Sequence, residues 1–397
     1  MASSSGGLSR AEKASFFNSM NQSQQKELIG GMGDVAWGSM LGRRLETYAT
    51  HNDQDMVKKF VAAGAKLDGA LHWAIRAGRV QVVKILLEGG ADPTVKCSEG
   101  NTALHTAVAA GRLRIVRLLL SNLDVYVDTR DQYRRTALYV CVTSDKYCHG
   151  GVVDPSGHGI VEALLEAGAD PNARCGNRGE TPVHVAYKNV VMISKLIDHG
   201  GSVDAEDDHG ERPLHHAVRN SPLSIPVLCT HGASVDATMD GGVTPLHLAS
   251  TGFPLPITTA LIKAGADVDA RTDAGNTPLH VVAQSAETGI IAYSPMLNII
   301  TALLLAGADE KLLDADGRSP VDIVGARIVN EENIGDEREI FERARTKLLA
   351  APADRAWRNR GLLVMIRVTM EREAEQRQEE APKRLAQYKI GSRERRA

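Results

Sequence analysis

Thr244-Pro245-Leu246-His247 belongs to a phrase that recurs as Thr102-Ala103-Leu104-His105, Thr181-Pro182-Val183-His184, Arg212-Pro213-Leu214-His215 and Thr277-Pro278-Leu279-His280. A second phrase follows about 20 residues after each copy, as Gly90-Ala91-Asp92, Gly168-Ala169-Asp170, Gly232-Ala233-Ser234, Gly265-Ala266-Asp267 and Gly307-Ala308-Asp309. Positions equivalent to the Thr fall at 69, 102, 136, 181, 212, 244, 277 and 319, separated by 33, 34, 45, 31, 32, 33 and 42 residues. Five of the seven steps lie near 33, so the chain reads as a tandem array before any other feature is weighed.

Each residue of the phrase has a physical task. Thr before Pro marks a helix start: the hydroxyl can cap free amides, and Pro at the next position has no N–H to leave unsatisfied. Leu104, Ala107 and Val108 fall at helical spacing, and after Gly111 so do Ile115, Val116, Leu118 and Leu119. Two short antiparallel helices per copy are expected. Gly recurs two residues before the Thr position, at 100, 179, 210, 242, 275 and 317, where a tight turn calls for positive φ, and Arg134 breaks the pattern. The phrase and its period resemble the ankyrin repeat. That resemblance implies an all-α solenoid of paired antiparallel helices with short β-hairpin loops, in which stacked neighbours supply the core no single copy can form.

The array is expected over 35–351, in about nine copies. A degenerate first copy spans Trp37 to Leu67, with its second helix over Asp55 to Ala63. The last copy starts at Ser319-Pro320-Val321-Asp322 and ends in a helix over Glu337 to Leu349. Insertions stretch two copies at 144–157 and 285–294. Residues 1–34 read as a polar, mostly disordered segment, and 352–397 as a capping segment followed by a charged tail. Within that tail, Trp357 to Ile366 either closes the last repeat or docks a partner.

The chain has 397 residues with a formal net charge of −3, yet residues 352–397 hold 12 Lys/Arg against 7 Asp/Glu, so a mildly basic tail follows an acidic array. Its mixed charge and few aromatics disfavour nucleic-acid binding. Five cysteines at irregular spacing do not form a secreted disulfide framework. Cys141 takes a position held by Ala107 and Ala186, and Cys229 aligns with Leu165, so both read as buried small hydrophobes. No run of about 20 apolar residues and no leader pattern is present, which points to an intracellular protein, cytoplasmic or nuclear, without membrane insertion.

Signatures of phosphate binding, zinc proteolysis, nucleophile elbows and dinucleotide binding are absent from the sequence. No catalytic residue, cofactor or metal is therefore assigned, and no small-molecule substrate. Cys141, Cys148, His149 and His158 bracket the first insertion and offer zinc-type donors, but their spacing fits no finger. Asp314-Ala315-Asp316-Gly317 lacks the later ligands of a calcium loop and reads as a repeat hairpin. The resemblance implies that His72, His105, His184, His215, His247 and His280 are structural, hydrogen-bonding between neighbouring units. It also marks Asn172 as a hairpin position that is hydroxylated in some relatives.

Ankyrin arrays bind proteins through a concave surface of hairpin tips and first-helix faces. Carried over to this sequence, the contact positions are Gln132, Tyr133 and Arg135 in one hairpin, Asp208, His209 and Glu211 in a second, and Asp273 and Asn276 in a third. The helices add Lys188, Arg219, Asn220 and Gln284. The expected function is a non-catalytic scaffold for a partner protein or peptide. The alternative is a substrate adaptor that recruits a multi-subunit enzyme, such as a ubiquitin ligase, through the C-terminal segment.

Overall fold

The structure, a computed structural model, describes residues 45–122, 125–144, 155–252, 254–285, 293–329 and 336–350. The segment 1–34, the start of the first copy, the bulk of both insertions with Cys148 and His149, and the tail with Trp357 to Ile366 lie outside these residues. Contacts group the chain into two units, Met1–Ala233 and Ser234–Ala397.

In the first unit the described residues form six helix pairs. Residues 45–51 precede Gln54–Ala62; Asp68–Ala77 pairs with Val80–Glu88, Ala103–Ala109 with Leu113–Leu120, and Ala137–Thr143 with Pro155–Glu166. Pro182–Val185, prolonged by a 3-10 turn over Ala186–Lys188, pairs with Val190–Asp198, and Pro213–Asn220 pairs with Ser224–Thr230. First helices pack on first helices and second on second, making two layers. The second unit repeats this with Pro245–Ala249 and Leu255–Lys263, Pro278–Ser285 and Tyr293–Leu305, and Pro320–Val329 and Asp336–Ala350. The helices beginning at Pro155 and Tyr293 claim the last residues of each expected insertion, so the added chain is shorter than the sequence suggested.

Leu104, Ala107 and Val108 are buried on one helix of their copy, and Ile115, Val116 and Leu119 on the other, while Leu118 is half-buried. Cys141 is fully buried, as its alanine-like position requires. Cys229 departs from expectation: it is partly exposed, and burial still pushes its thiol upward. The described cysteines Cys97, Cys141, Cys175 and Cys229 are free thiols. Among the described residues, no helix is long and apolar enough to cross a membrane.

Hairpins between copies close through backbone bonds such as Asp131 N to Arg135 O, 3.0 Å, and Asp207 N to Glu211 O, 2.9 Å. The predicted turn glycines all take positive φ, Gly210 at 69° and Gly242 at 70° among them. Arg134 adopts the same left-handed backbone, with φ 60°, despite its Cβ.

Candidate docking face and its buried cluster

His72, His105, His184, His247 and His280 each link one copy to the next through Nε2, whereas among the described residues the expected inter-copy bond from His215 Nε2 is not made. His184 Nε2 donates to Glu211 O at 3.0 Å, and His247 Nε2 to Asn276 O at 2.9 Å. A carbonyl can only accept, so Nε2 carries the proton and Nδ1 is the acceptor. At His184 that Nδ1 receives the Thr181 amide at 3.1 Å and the Thr181 hydroxyl at 2.8 Å. The Thr hydroxyl thus serves the imidazole more than the helix amides: at Thr244 it lies 2.8 Å from His247 Nδ1 but 3.4 Å from the His247 amide. Burial lowers the pKa of His72, His105, His247 and His280, and takes His184 down to about 4, so these rings are neutral struts at pH 7.

Tyr139 stands where other copies carry this histidine, and it reaches a side chain instead of a carbonyl, its hydroxyl donating to Glu180 Oε2 at 2.7 Å. Burial and that carboxylate push the phenol's pKa up. The substitution opens a different local chemistry in the copies that follow.

Asp131, Asp207 and Asp314 occupy equivalent hairpin positions, and each offers Oδ1 to two amides of its own turn; for Asp207 these are His209 N at 2.8 Å and Glu211 N at 2.9 Å. In two of these hairpins the second oxygen is taken by an arginine four residues on: Asp131 Oδ2 by Arg135, and Asp314 Oδ2 by Arg318. In the third hairpin that arginine is replaced by Glu211. Asp207 Oδ2, on a side chain with 0 % exposure, makes no hydrogen bond. Facing it is His216 Nε2 at 3.6 Å, at a helix position filled by Val140, Val185, Leu248 and Val281 in sibling copies. His216 Nε2 also lies 3.2 Å from Glu211 Oε2, and Nδ1 lies 4.0 Å from Glu180 Oε1. Arg219 at 2.6 Å and Arg178 at 3.3 Å hold Glu211. Burial drives the Asp207 and Glu211 carboxyls upward, but the turn amides at Asp207 and the Arg219 guanidinium at Glu211 outweigh it, keeping both below the usual range. Above the cluster is a groove of about 470 Å³ whose walls include Tyr139, Tyr187 and Lys188.

The sequence-derived contact positions divide accordingly. Gln132, Lys188, Asp208, His209 and Asn220 are exposed, and Asp208 is paired with Arg174 at 2.6 Å. Tyr133 is 57 % exposed, with the Arg135 guanidinium 4.7 Å from its ring centre while Arg135 also holds Asp131. Glu211 corrects the sequence reading: it is 3 % exposed because the guanidiniums that neutralise it draw it under the surface, so it is a floor residue. Arg219 acts as its clamp. In the second unit Asp273 is exposed, and Gln284 donates to Asn276 Oδ1 at 3.0 Å.

Sequence reasoning missed Tyr139, Glu180, Asp207 and His216, though aligning the copies exposes Tyr139 and His216 as departures. It also missed Trp73, which is 46 % exposed on the first-helix face with Arg76 5.6 Å from its ring centre. Of the thiol and imidazole set around the first insertion, Cys141 contacts Gly157 O at 3.9 Å and His158 pairs with Asn189 at 3.2 Å. Asn172 bridges to the next copy, donating to Gly200 O and accepting from Ser202 N. Asp314 caps an ordinary hairpin.

The model described as "Ankyrin repeats (3 copies)" matches residues 45–131, 71–174 and 152–239, and the model "Ankyrin repeat" matches 241–273. The chain belongs to the ankyrin repeat family. Its ankyrin array is 36 % identical over 182 residues to human palmitoyltransferase ZDHHC13, a match covering 43 % of this chain and 28 % of that protein. The Drosophila melanogaster palmitoyltransferase Hip14 is 33 % identical over 177 residues, 42 % of this chain and 26 % of that one. The chain thus spans between a quarter and a third of the length of these relatives. Among solved structures, the ankyrin repeat domain of Bcl-3 aligns over 62 % of this chain and all of that domain, at 24 % identity and a TM-score of 0.49.

Proposed function

We propose that this ankyrin array is a non-catalytic docking module that binds a partner protein on the hairpin tips and first-helix faces of its first unit. Ankyrin repeats serve protein interaction, and the observation that carries the finer reading is the pair of exposed aromatics, Trp73 and Tyr133, each with an arginine against its ring. Trp, Tyr and Arg are enriched among the residues that dominate binding energy at protein interfaces, and the two aromatics bury much surface for little lost freedom. Stacking on arginine fixes each ring in advance. The polar groove beside Lys188 and Asn220 supplies directional hydrogen bonds. Transferase activity is named for ZDHHC13, of which the match covers 28 %. The free thiols fit a reducing, intracellular setting.

The test compares proteins captured from cytosolic extract by the intact chain and by a folded Trp73→Ala, Tyr133→Ala, Lys188→Ala variant. The proposal expects specific proteins to be lost with the variant. An unchanged set would contradict it and move recognition to the insertions or the C-terminal segment.

A further inference from the structure

We infer that Glu180, Asp207 and His216 form a binding site for one first-row divalent cation, zinc in the first instance. One donor atom from each of these residues lies within 4.8 Å of the others, and the three side chains come from two successive hairpins and a helix of the first unit. A tetrahedral zinc ion with bonds of about 2.0–2.2 Å sets its donors roughly 3.3–3.6 Å apart. Asp207 Oδ2 and His216 Nε2 are at 3.6 Å.

Carboxylates near one another do not make a site, and two independent observations go further here. Asp207 Oδ2 and His216 Nε2 are both buried and both without a hydrogen bond, on side chains 0 % and 8 % exposed. Native interiors rarely leave two such groups face to face unless something else satisfies them. Second, sibling hairpins solve the same problem with a cation of their own: Arg135 on Asp131 and Arg318 on Asp314. Glu211 at that position removes the built-in cation and adds a carboxylate.

An imidazolium does not fill the role as well. Glu211 Oε2 is 3.2 Å from Nε2 yet lies off the nitrogen's donor axis and accepts no hydrogen bond from it. Arg178 approaches Asp207 Oδ2 only to 3.7 Å and sits nearer Glu211. A dication at neutral His216 balances the charges of Glu180 and Asp207, leaving Arg219 and Arg178 to Glu211. Tyr139, donating to Glu180 Oε2, then acts as an outer partner that orients a ligand. This inference does not depend on the docking proposal.

The experiment titrates the chelator-treated full chain with Co²⁺, reading visible absorption, followed by Zn²⁺ competition. The expected result is one saturable equivalent with a nitrogen–oxygen spectrum. His216→Val takes the residue of sibling copies, and Asp207→Asn keeps the Oδ1 acceptor of the turn; both are expected to retain helical circular dichroism and to lose affinity by more than about 100-fold. Tyr139→Phe is expected to lose about 10-fold. The inference is overturned by absence of saturable binding, by binding that survives both folded variants, or by a thiolate spectrum that vanishes in Cys148→Ser.

Discussion

Arg134 holds a φ of 60° in a turn where Gly100, Gly179, Gly210, Gly242, Gly275 and Gly317 serve the sibling copies. An L-residue in that region costs roughly 1–2 kcal/mol through its Cβ, partly offset by the smaller freedom of Arg in the unfolded chain. The Arg134 carbonyl, which accepts from Arg130 and Gly176, does not depend on the side chain. Arg134→Gly should therefore stabilise the protein by up to about 1 kcal/mol, read as a rise in urea midpoint. A lower midpoint would show that the guanidinium matters more than the backbone. The histidines make a second residue-level prediction. His184 falls to about 4 in the folded state, so between that value and the ordinary value of about 6.5 the unfolded chain binds a proton that the folded chain refuses. Stability is fully present above about pH 6.5 and declines as pH falls toward 4, by on the order of 3 kcal/mol for this residue alone. His72, His105, His247 and His280 add in the same direction. A urea midpoint flat from pH 7 to 5 would contradict the buried neutral struts.

Each helix pair is short, and its stability comes from neighbours more than from itself. Leu246 is fully buried on Pro245–Ala249, a helix of five residues, so Leu246→Ala should cost about 2–5 kcal/mol. His209, exposed on its hairpin, should change stability by less than about 0.5 kcal/mol when replaced by Ala. Equal effects in denaturant titrations would defeat the assignment of core and rim. Turn glycines couple adjacent copies as well as satisfying φ: a Cβ on Gly242 would come within 2.9 Å of Asp273 N in the next hairpin. Helices, hairpins and their register were legible in the sequence because every copy must bury the same face, and repetition averages out local noise. The helices starting at Pro155 and Tyr293 were read late because the inserted residues before them interrupt the period that locates a start.

Within each unit the two helical layers follow from the repeat, but the division of contacts at Ala233 and Ser234 carries no sequence mark that distinguishes it from other copy boundaries. The candidate site was half legible. Tyr133, Lys188 and His209 lie exposed where the family pattern puts them, because the pattern encodes which faces are free. Glu211 was misplaced, since a pattern cannot tell that Arg219 and Arg178 pull this carboxylate inward. Trp73 went unremarked although position 69 and His72 fix its register, because the matching position holds aliphatic residues such as Val140, Val185, Leu248 and Val281 in sibling copies and so marks no contact. The central claim is that partners engage the hairpins and first helices of the first unit. Hydrogen exchange on the intact chain, with and without a protein it captures, tests this directly. The account predicts added protection in the hairpin residues 131–135 and 207–211 and in the first helices Asp68–Ala77 and Pro213–Asn220. Protection confined to the second helices Val190–Asp198 and Ser224–Thr230 would contradict it.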